Sequence, residues 1–518
     1  GDKVAKAMPP LIMGRDTPLY ACLEQHPKFE DGYKMATDLR QMYHEDPDAK
    51  KVIDVAKGLE GLRRQDGIHA AAVVITKDPL TTYLPIQRKP AAGQSVEDAP
   101  VVTQYEMNGV EELGLLKMDF LGLRNLDVIS DTLEIINRYR GIDLDIDRVP
   151  LDDAKTLEML CRGESIGVFQ LEGGAMRTLM RSLAPTCFED IAALVALYRP
   201  GPMSVNMHND YADIKNERKP VEYFHPDAEE LLADTYGLMI YQESVMRVSQ
   251  RFAGYSLAEA DNLRKACGKK KPELMAKERA KFVEGCDTTG YGSALGTTLF
   301  DTIEGFANYA FNKSHSFGYG LVSYQTAYLK AHFPVEYLSA LLTSVKTSLE
   351  KAAVYLNECR TMGIQVLVPD VNRSASDFEP ARLDDGTEVI PFGLSAVRNV
   401  GEALVEKIIE DRTANGPFAD FYDFCERVDM SVLNKKTLES LIKAGGFDSL
   451  GHPRRGLLAV YEQIVDATIA RRKERDVGIF SLFGEAEETG GGFDEKVAIP
   501  SLAFDKKEQL AFEKEMLG

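Results

Sequence analysis

Two charged residues interrupt the apolar run "LGLLKMDFLGLRNL" at positions 113 to 126. The run predicts a short buried strand, in which an unpaired charge is costly. Side chains alternate across a strand, so Lys117 and Asp119 share one face while Met118 and Phe120 point to the other. When the two are presented together, the carboxylate can ligate Mg²⁺ and the ammonium group can neutralise a polyphosphate. The alternative is an ordinary ion pair on the surface of a strand.

A second polar cluster lies in "NYAFNKSHSFGYG", which begins at residue 308. Hydrogen-bond donors, a cation and an aromatic ring fall within one short stretch, namely Asn308, Tyr309, Asn312, Lys313, Ser314, His315 and Ser316. This set suits a triphosphate whose sugar or base stacks on Tyr309. The alternative is a polar helix cap that precedes a core helix rich in tyrosine.

Two further segments place cations where phosphates could bind. "LRKACGKKKPELM" contains a cluster of five, Arg264, Lys265, Lys269, Lys270 and Lys271, which either faces phosphates or forms a solvated helix face. On the first interpretation we expect Lys269, Lys270 and Lys271 to contact DNA. "ALYRPGPM" holds Arg199 in a turn stiffened by proline, which either fixes a guanidinium group for binding or is simply structural.

The segments "LSAVRNVGEALVEKI" and "NKKTLESLIKAGGFDSL" each read as helix, tight glycine turn, helix. They resemble paired helix-hairpin-helix motifs, in which turn amides such as those of Val400 and Gly401 contact a DNA phosphate. The residues expected to contact DNA here are Arg398, Asn399, Val400, Gly401, Lys435 and Lys436. The alternative is ordinary helix packing with glycine at the C-caps.

Near the end of the chain, "GIFSLFG" places Ile479, Leu482 and Phe483 before a segment rich in glycine and glutamate. An exposed aliphatic and aromatic pair there would serve as a docking peptide, although a buried loop anchor reads the same way.

The elements that must position these residues are mainly helices. Residues 1 to about 65 and about 150 to 370 read as helical, and "HAAAVVIT" and "LGLLKMDFL" read as strands. A helix is predicted from Asn125 to Arg140, with Gly141 as its stop and an apolar face formed by Leu126, Ile129, Leu133 and Ile136.

The whole chain has 518 residues, of which 44% are hydrophobic, and a net charge of −20. This length predicts three or four domains. The negative charge by itself disfavours nucleic acid, but the local basic clusters keep a DNA track possible. No segment is long and apolar enough for a membrane helix, and the seven scattered cysteines lack CxxC spacing, so we expect a cytoplasmic protein with reduced thiols. Phosphate-loop, GxGxxG and HExxH motifs are absent from the sequence.

Six segments in this order resemble the C-family DNA polymerases, the group of the bacterial replicative polymerase III alpha subunits. They are "LLKMDFLGLRNL", "VFQLEGGAM", "ALYRPGPM", "YQESVM", "LRKACGKKKPELM" and "FNKSHSFGYGLVSYQTAYLKAHFPVEY". The resemblance implies a multidomain, mostly helical α/β fold with a mixed-sheet palm of the polymerase-beta-like nucleotidyltransferase type. It assigns 1–70 to the thumb, 71–124 to the rear of the palm, 125–385 to the fingers, 386–470 to tandem helix-hairpin-helix motifs and 471–518 to the start of a clamp-binding region and a linker.

The resemblance also implies roles for single residues. Asp119 matches a catalytic, metal-binding carboxylate and Lys117 an active-site lysine. Tyr309, Lys313 and His315 match the fingers segment that faces the incoming nucleotide, with Arg264 and Lys265 on its triphosphate side, and "IFSLF" matches a clamp-binding motif. From their own motifs, Asn312 and Arg199 are expected to bind the nucleotide as well. The implied partners are two Mg²⁺ ions, deoxynucleoside triphosphates, primer-template DNA, a sliding clamp, and clamp-loader and proofreading subunits, with no membrane.

Three departures from the family pattern stand out. The other two metal-binding aspartates of the family lie in a P-D-x-D-x-D-like motif, and this motif does not occur here, so we expect a fragment without the front of the palm and the N-terminal PHP domain. Ile479 stands where the family usually has Gln, and "QLEGGAM" departs from the commoner "QLES".

The function expected from the sequence is template-directed DNA synthesis, with this fragment inactive on its own. The alternatives are a noncatalytic DNA-binding scaffold, which would not bind deoxynucleoside triphosphates, and a nucleotidyltransferase that needs no template.

Overall fold

The computed structural model describes residues 1–10, 16–27, 29–62, 66–269, 272–306, 310–476 and 496–518, without the side chains of 268, 269, 272–274 and 476. The chain divides into two compact units, Gly1–Leu123 and Arg124–Gly518. Helices dominate the described residues, so the mostly helical multidomain fold expected from the sequence is confirmed. None of the described helices combines the length and apolar character that crossing a bilayer requires.

The first unit begins with five short helices, α1 (Asp2–Lys6), α2 (Leu19–Leu23), α3 (Glu30–Met35), α4 (Thr37–Glu45) and α5 (Pro47–Leu59). They bury a small common core that consists of Leu19, Cys22, Ala36, Leu39 and Ile53. The start of α5 follows from its sequence, because the side chain of Asp46 accepts hydrogen bonds from two first-turn amides and Pro47 occupies the first helical position.

Four short strands and a sixth helix complete this unit: β1 (Ala72–Ile75), β2 (Ile86–Arg88), β3 (Val101–Thr103), α6 (Met107–Glu112) and β4 (Leu116–Asp119). They form two separate antiparallel pairs, β1 with β4 and β2 with β3. In the β1–β4 pair, Ala72 lies opposite Asp119 and Val74 lies opposite Lys117.

The expectation that β4 is a buried strand is wrong for the residues described here. The apolar side chains of β4 are exposed by 56% at Leu116 and 41% at Met118, and Phe120, which follows the strand, is 61% exposed. A two-stranded sheet covers neither of its own faces, so alternation places Lys117 and Asp119 on one face without burying the other.

The second unit opens with fourteen described helices. They are α7 (Arg124–Arg140), α8 (Ala154–Cys161), α9 (Gly174–Leu183), α10 (Phe188–Leu197), α11 (Pro200–Ser204), α12 (Met207–Lys215), α13 (Glu229–Leu232), α14 (Gln242–Ala253), α15 (Leu257–Lys269), α16 (Pro272–Thr288), α17 (Ser293–Phe306), α18 (Lys313–His332), α19 (Pro334–Ser344) and α20 (Leu349–Thr361). Gly141 at φ 68° follows α7, as predicted for its stop, whereas Leu126 of the expected apolar face is 48% exposed.

The described helices of this unit bury three hydrophobic clusters. One lies among α8 to α10, α12 and α18, a second among α13 to α17, and the third joins α7, α19 and the C-terminal elements. Helix α18 packs closely on α10 where Gly320 faces Ala192. A Cβ added to this glycine would lie only 3.2 Å from the Cα of Ala192, so a larger residue would not fit without a shift. The hydroxyl of Ser316 donates to the carbonyl of the same alanine. These contacts fix the start of α18, which carries several predicted site residues.

A small mixed sheet and five helices end the unit. The sheet has the order β5 (Gln365–Leu367), β7 (Glu388–Pro391), β6 (Ala381–Arg382), with β5 parallel and β6 antiparallel to β7. The helices are α21 (Glu402–Asn415), α22 (Phe421–Arg427), α23 (Lys435–Ala444), α24 (Arg454–Asp476) and α25 (Lys506–Leu517). In each predicted hairpin one of the two helices is a single 3-10 turn, at Leu394–Ala396 and at Asp448–Leu450.

Residues 496–518 are anchored on the elements around these hairpins. The carbonyl of Met516 accepts from the amide of Arg398 at 3.1 Å, and Met516 is buried in the core. Arg454 forms ion pairs with Asp448 at 2.6 Å and with Glu513 of α25 at 2.9 Å. This part of the predicted linker is therefore integral to the second unit.

Candidate functional site

The predicted catalytic pair lies at the end of β4. The ammonium group of Lys117 donates to both carboxylate oxygens of Asp119, at 2.8 and 3.0 Å, so the two residues share a face as expected. This hydrogen bond holds the pKa of the Asp119 carboxyl below its ordinary value, with a further contribution from nearby His69. The carboxylate stays ionised and 54% exposed, which are the properties required of a metal ligand.

Asp119 fits a magnesium ion as one ligand. Mg²⁺ is bound in many enzymes through one or two carboxylates, with water and substrate phosphates as the remaining ligands. Among the residues that the structure describes, no group of three or more potential metal-ligating side chains is assembled. The described residues therefore offer one carboxylate for this purpose and do not by themselves complete a site for two ions.

The predicted nucleotide residues gather at the start of α18 in the second unit. Asn312 is the N-cap, and its side chain accepts from the amide of His315 at 2.8 Å. The carboxylate of Glu243, in the first turn of α14, accepts from the Asn312 amide group and from the Lys313 backbone, both at 3.0 Å. The ammonium group of Lys313 pairs with Asp234 at 2.9 Å. The polar helix cap considered above is therefore present.

Helix α15 brings two more predicted cations to the start of α14. Arg264 donates to the side chain of Gln242 at 3.3 Å and to Asp261 at 2.8 Å. Lys265 pairs with the same aspartate at 2.8 Å. Both cations hold the pKa of Asp261 below its ordinary value by hydrogen bonding, so this carboxylate keeps them in place by remaining charged.

Phe311 connects these helices to Arg199. Its backbone bonds to Ile240 and Gln242 on either side of Tyr241, and the Arg199 guanidinium lies 4.0 Å from the centre of its ring. The Arg199 Nε also donates to the carbonyl of Ala196 at 2.8 Å. Burial lowers the pKa of Arg199 from its ordinary value, because a charged group is less stable away from water. The proline turn thus holds this cation against the loop that precedes α18.

An aromatic stack runs along the exposed face of α18. The rings of His315 and Tyr319 are stacked at 4.3 Å, and Tyr319 contacts Phe169 at 5.6 Å. Phe311 packs edge-on against His315 at 5.2 Å. Such a surface can bind a flat nucleobase next to the cations described above.

The two predicted hairpins meet at a separate cleft of about 320 Å³. The cations Arg398, Lys436 and Lys443 line it together with the carboxylates of Glu439 and Glu515, and Glu439 pairs with Lys443 at 2.7 Å. Asn399 also lines the cleft, and its side chain donates to Ser440 at 3.1 Å. The amide of Val400 donates to the carbonyl of Val397 in this conformation, and its contact with DNA stays a prediction.

Lys435 does not line this cleft. Its ammonium group pairs with Asp466 at 2.9 Å and Glu462 at 3.4 Å, both on α24. Lys435 lies outside the lining of this cleft, so its contact with DNA stays a prediction that the cleft does not support.

Several predicted site residues lie outside the part of the chain that the structure describes. They are Tyr309, Lys270, Lys271, Ile479, Leu482 and Phe483, together with the side chain of Lys269.

Family models match successive parts of the chain, and curated relatives match its whole length. Residues 5–122 match the bacterial DNA polymerase III alpha NTPase domain, 125–290 the bacterial DNA polymerase III alpha subunit finger domain and 363–457 a helix-hairpin-helix motif. Relatives named DNA polymerase III subunit alpha are 48% identical in Mycobacterium tuberculosis strain H37Rv, 49% in Mycobacterium leprae and 43% in Thermus aquaticus. Each alignment covers 100% of this chain, and 43%, 43% and 40% of the respective relative.

The chain belongs to the bacterial DNA polymerase III alpha subunit family.

The chain spans about two fifths of the length of the curated alpha subunits that it matches. The match to the alpha-subunit finger domain ends at residue 290, whereas the start of α18 lies beyond it. The match to the helix-hairpin-helix motif includes the cleft formed by Arg398, Asn399 and Lys436.

Sequence reasoning missed several residues that organise this alpha-subunit site. Gln242 and Glu243 orient Arg264, Asn312 and Lys313, and the only signal for them was the segment "YQESVM", to which no role was assigned. Tyr319 was also missed, although its position four residues after His315 places both rings on one helix face.

Proposed function

We propose that the protein of which this chain is part carries out template-directed DNA synthesis by nucleotidyl transfer to a primer 3′-hydroxyl. Residues 1–70 are assigned to the thumb, 71–124 to the rear of the palm, 125–385 to the fingers and 386–470 to the DNA-binding hairpins. Residues 471–518 are assigned to the region that leads to the clamp site, which includes Ile479, Leu482 and Phe483.

One observation carries this proposal, the convergence of cations and aromatic rings where α14, α15 and α18 meet. Arg264, Lys313 and Arg199 reach this point from three separate segments of the chain. Carboxylates pair with the first two, and such pairs are worth only about 0–1 kcal/mol on a surface. A triphosphate can therefore replace these carboxylates as the partner of the cations, while His315 and Tyr319 offer a stacking face for the base.

Asp119 and Lys117 are assigned to the chemical step. Asp119 would hold Mg²⁺, which when bound supplies the Lewis acidity that phosphoryl transfer requires. Lys117 keeps the Asp119 carboxylate ionised and oriented, and its ammonium group can neutralise a phosphate. The number of ions in the complete enzyme, expected to be two, belongs to this proposal.

Primer-template DNA is assigned to the hairpin cleft, where Arg398 and Lys436 lie together. The sliding clamp, the clamp loader and a proofreading subunit are the further partners proposed, and the cytoplasm is the proposed location. A noncatalytic DNA-binding scaffold would explain the hairpin cleft equally well, but it would leave the convergence of Arg264, Lys313 and Arg199 without a use.

Steady-state incorporation of the templated nucleotide by the intact subunit tests this proposal. Arg264→Ala removes a charged hydrogen-bond donor worth about 1.5–3 kcal/mol, so KM for the deoxynucleoside triphosphate rises roughly tenfold or more. Primer-template affinity stays at the parent value, because Arg264 is assigned to the nucleotide. Arg251→Ala is the matched control, since Arg251 pairs with Asp227 at the far end of α14.

Three results would overturn the proposal. An unchanged KM in Arg264→Ala would remove the nucleotide assignment. DNA binding without any nucleotide binding would favour the scaffold, and addition that ignores the template would favour another nucleotidyltransferase.

A further inference from the structure

A second cleft lies in the second unit, next to the aromatic stack on α18. Its volume is about 690 Å³, within the range of about 300–1,000 Å³ typical of small-ligand sites. The start of α7, the loop between α8 and α9, and helices α9, α19 and α20 surround it. None of its lining residues is assigned to the nucleotide, the metal ion or duplex DNA.

Three cations line the cleft without a carboxylate partner among the described residues. Arg124 donates to the carbonyl of Ser344 at 3.2 Å, and Arg177 donates to the carbonyl of Gly163 at 2.8 Å. Lys351 is exposed on α20. In a chain with a net charge of −20, three such cations around one cleft indicate an anionic ligand.

The carboxylate in the lining, that of Glu172, is already engaged. It accepts from the amide of Gly167 at 3.1 Å and from the hydroxyl of Tyr355 at 3.3 Å. Glu172 therefore shapes the loop and forms no ion pair with Arg124, Arg177 or Lys351, so three cations face one carboxylate in the lining.

The wall of the cleft is partly aromatic and is held rigidly. The backbone of Phe169 bonds to the hydroxyls of Thr326 and Ser323 on α18. The carbonyls of Glu164 and Ile166 both accept from the buried ammonium group of Lys330 at 2.8 Å. Phe169 also contacts Tyr319, so the cleft is continuous with the aromatic stack on α18.

We propose that this cleft binds the unpaired single strand of the template. Single-stranded nucleic acid is recognised by cations that follow its phosphates together with aromatic rings that contact its bases, and both are present here. A duplex is disfavoured because its bases are already stacked and paired. The inference rests on the proposed function, because the template strand would pass from the aromatic stack on α18 into this cleft.

Lys351→Gln in the intact subunit tests the inference, with Lys155→Gln as the matched control. Both lysines are exposed, but Lys155 lies on α8 and does not line the cleft. The probes are primer-template duplexes with a 5′ template overhang of either one nucleotide or about 12 thymidines, measured by fluorescence anisotropy over a salt series.

Lys351→Gln is expected to weaken binding of the long overhang about threefold to tenfold and to lower the salt slope by about 0.7. The short overhang binds as in the parent, and Lys155→Gln binds both probes as the parent does. Equal losses of affinity for both overhangs, or a loss no greater than that of Lys155→Gln, would overturn the assignment of the single strand to this cleft. So would displacement of the long overhang by thymidine monophosphate or by a glutamate peptide as effectively as by oligothymidylate.

The same experiment separates this inference from the proposed function. If the parent binds the long overhang in a Lys351-dependent way but does not extend the primer, the proposed function fails and the single-strand site stands. If it extends the primer normally without any effect of Lys351, only the single-strand site fails.

Discussion

The ion pairs of single residues show why the positions of cations in the sequence were not enough to define the candidate site. Lys313 pairs with Asp234, and Arg264 and Lys265 share Asp261, although nothing in the sequence connects residues 234 and 313. These carboxylates keep long side chains ordered when no phosphate is present. Lys117 and Asp119 are the exception, because the period of a strand predicts their shared face from sequence alone.

The seven cysteines give a prediction about pH at the same scale. All seven are free, and burial raises the pKa of each thiol, to about 11 at Cys22 and to about 12 at Cys359 and Cys425. A raised pKa removes the reactive thiolate near neutrality, so native protein at about pH 8 should react with iodoacetamide roughly 100-fold more slowly than an ordinary thiol.

Mass spectrometry of the alkylated protein checks this. Cys161 and Cys187, which are partly exposed, should be labelled first, and unfolding in guanidinium should make all seven react. Rapid labelling of Cys359 or Cys425 in the native protein would contradict the burial described here.

At the scale of elements, one buried ion pair links α18 to α20 and to the loop before α9. The ammonium group of Lys330 is fully buried and pairs with Glu358 at 2.6 Å. It also donates to the carbonyls of Glu164 and Ile166, so one side chain satisfies three acceptors. Burial lowers the pKa of Lys330, and the hydrogen bond to Glu358 opposes that shift.

Lys330→Met should therefore destabilise the second unit by about 3–5 kcal/mol, because it leaves a buried carboxylate and two carbonyls without a partner. Urea unfolding of the intact subunit measures the effect. Glu358→Gln is the control, since its amide oxygen can still accept from Lys330, and it should cost less. A loss below about 1 kcal/mol in Lys330→Met would show that the pair is not a structural link.

Local sequence patterns predicted where single helices and strands lie better than they predicted which side chains are exposed. The stop of α7 at Gly141 and the strand character of residues 116–119 follow from glycine geometry and from the pattern of apolar residues. Sequence could not predict that Met118 and Phe120 are exposed, because that depends on which elements cover the sheet. The hairpins were predicted as helix pairs, but a glycine turn does not distinguish an α-helix from a 3-10 turn.

At the scale of the whole molecule, the net charge of −20 coexists with two kinds of cation, those paired with a carboxylate and those that form no ion pair within the part of the chain that the structure describes. The adjacent residues Lys435 and Lys436 illustrate the difference. Lys435 is neutralised by Glu462 and Asp466, whereas Lys436 lines the hairpin cleft beside Arg398.

Lys436→Gln should weaken binding of primer-template DNA by the intact subunit and lower the salt slope by about 0.9, the value for one lost phosphate contact on duplex DNA. Lys435→Gln should change neither quantity, because Lys435 does not line the cleft. Anisotropy titrations at several salt concentrations measure both. Equal effects from the two substitutions would mean that the cleft does not contact phosphates.

The order of the motifs along the chain predicted the family, since long segments in a fixed order rarely agree by chance, and the relatives confirm it. The sequence did not predict that "YQESVM" would lie against the start of α18. That contact joins segments about 70 residues apart, and only tertiary packing determines it.

Primer extension by the intact subunit carrying Asp119→Asn tests the central claim most directly, with Glu112→Gln as the control, an exposed carboxylate at the end of α6. Loss of a charged metal ligand removes several kcal/mol of transition-state stabilisation, so extension should fall by roughly 1,000-fold or more. Primer-template binding should remain at the parent level in both variants. Extension at the parent rate in Asp119→Asn would contradict the assignment of Asp119 and, with it, this account of the chemical step.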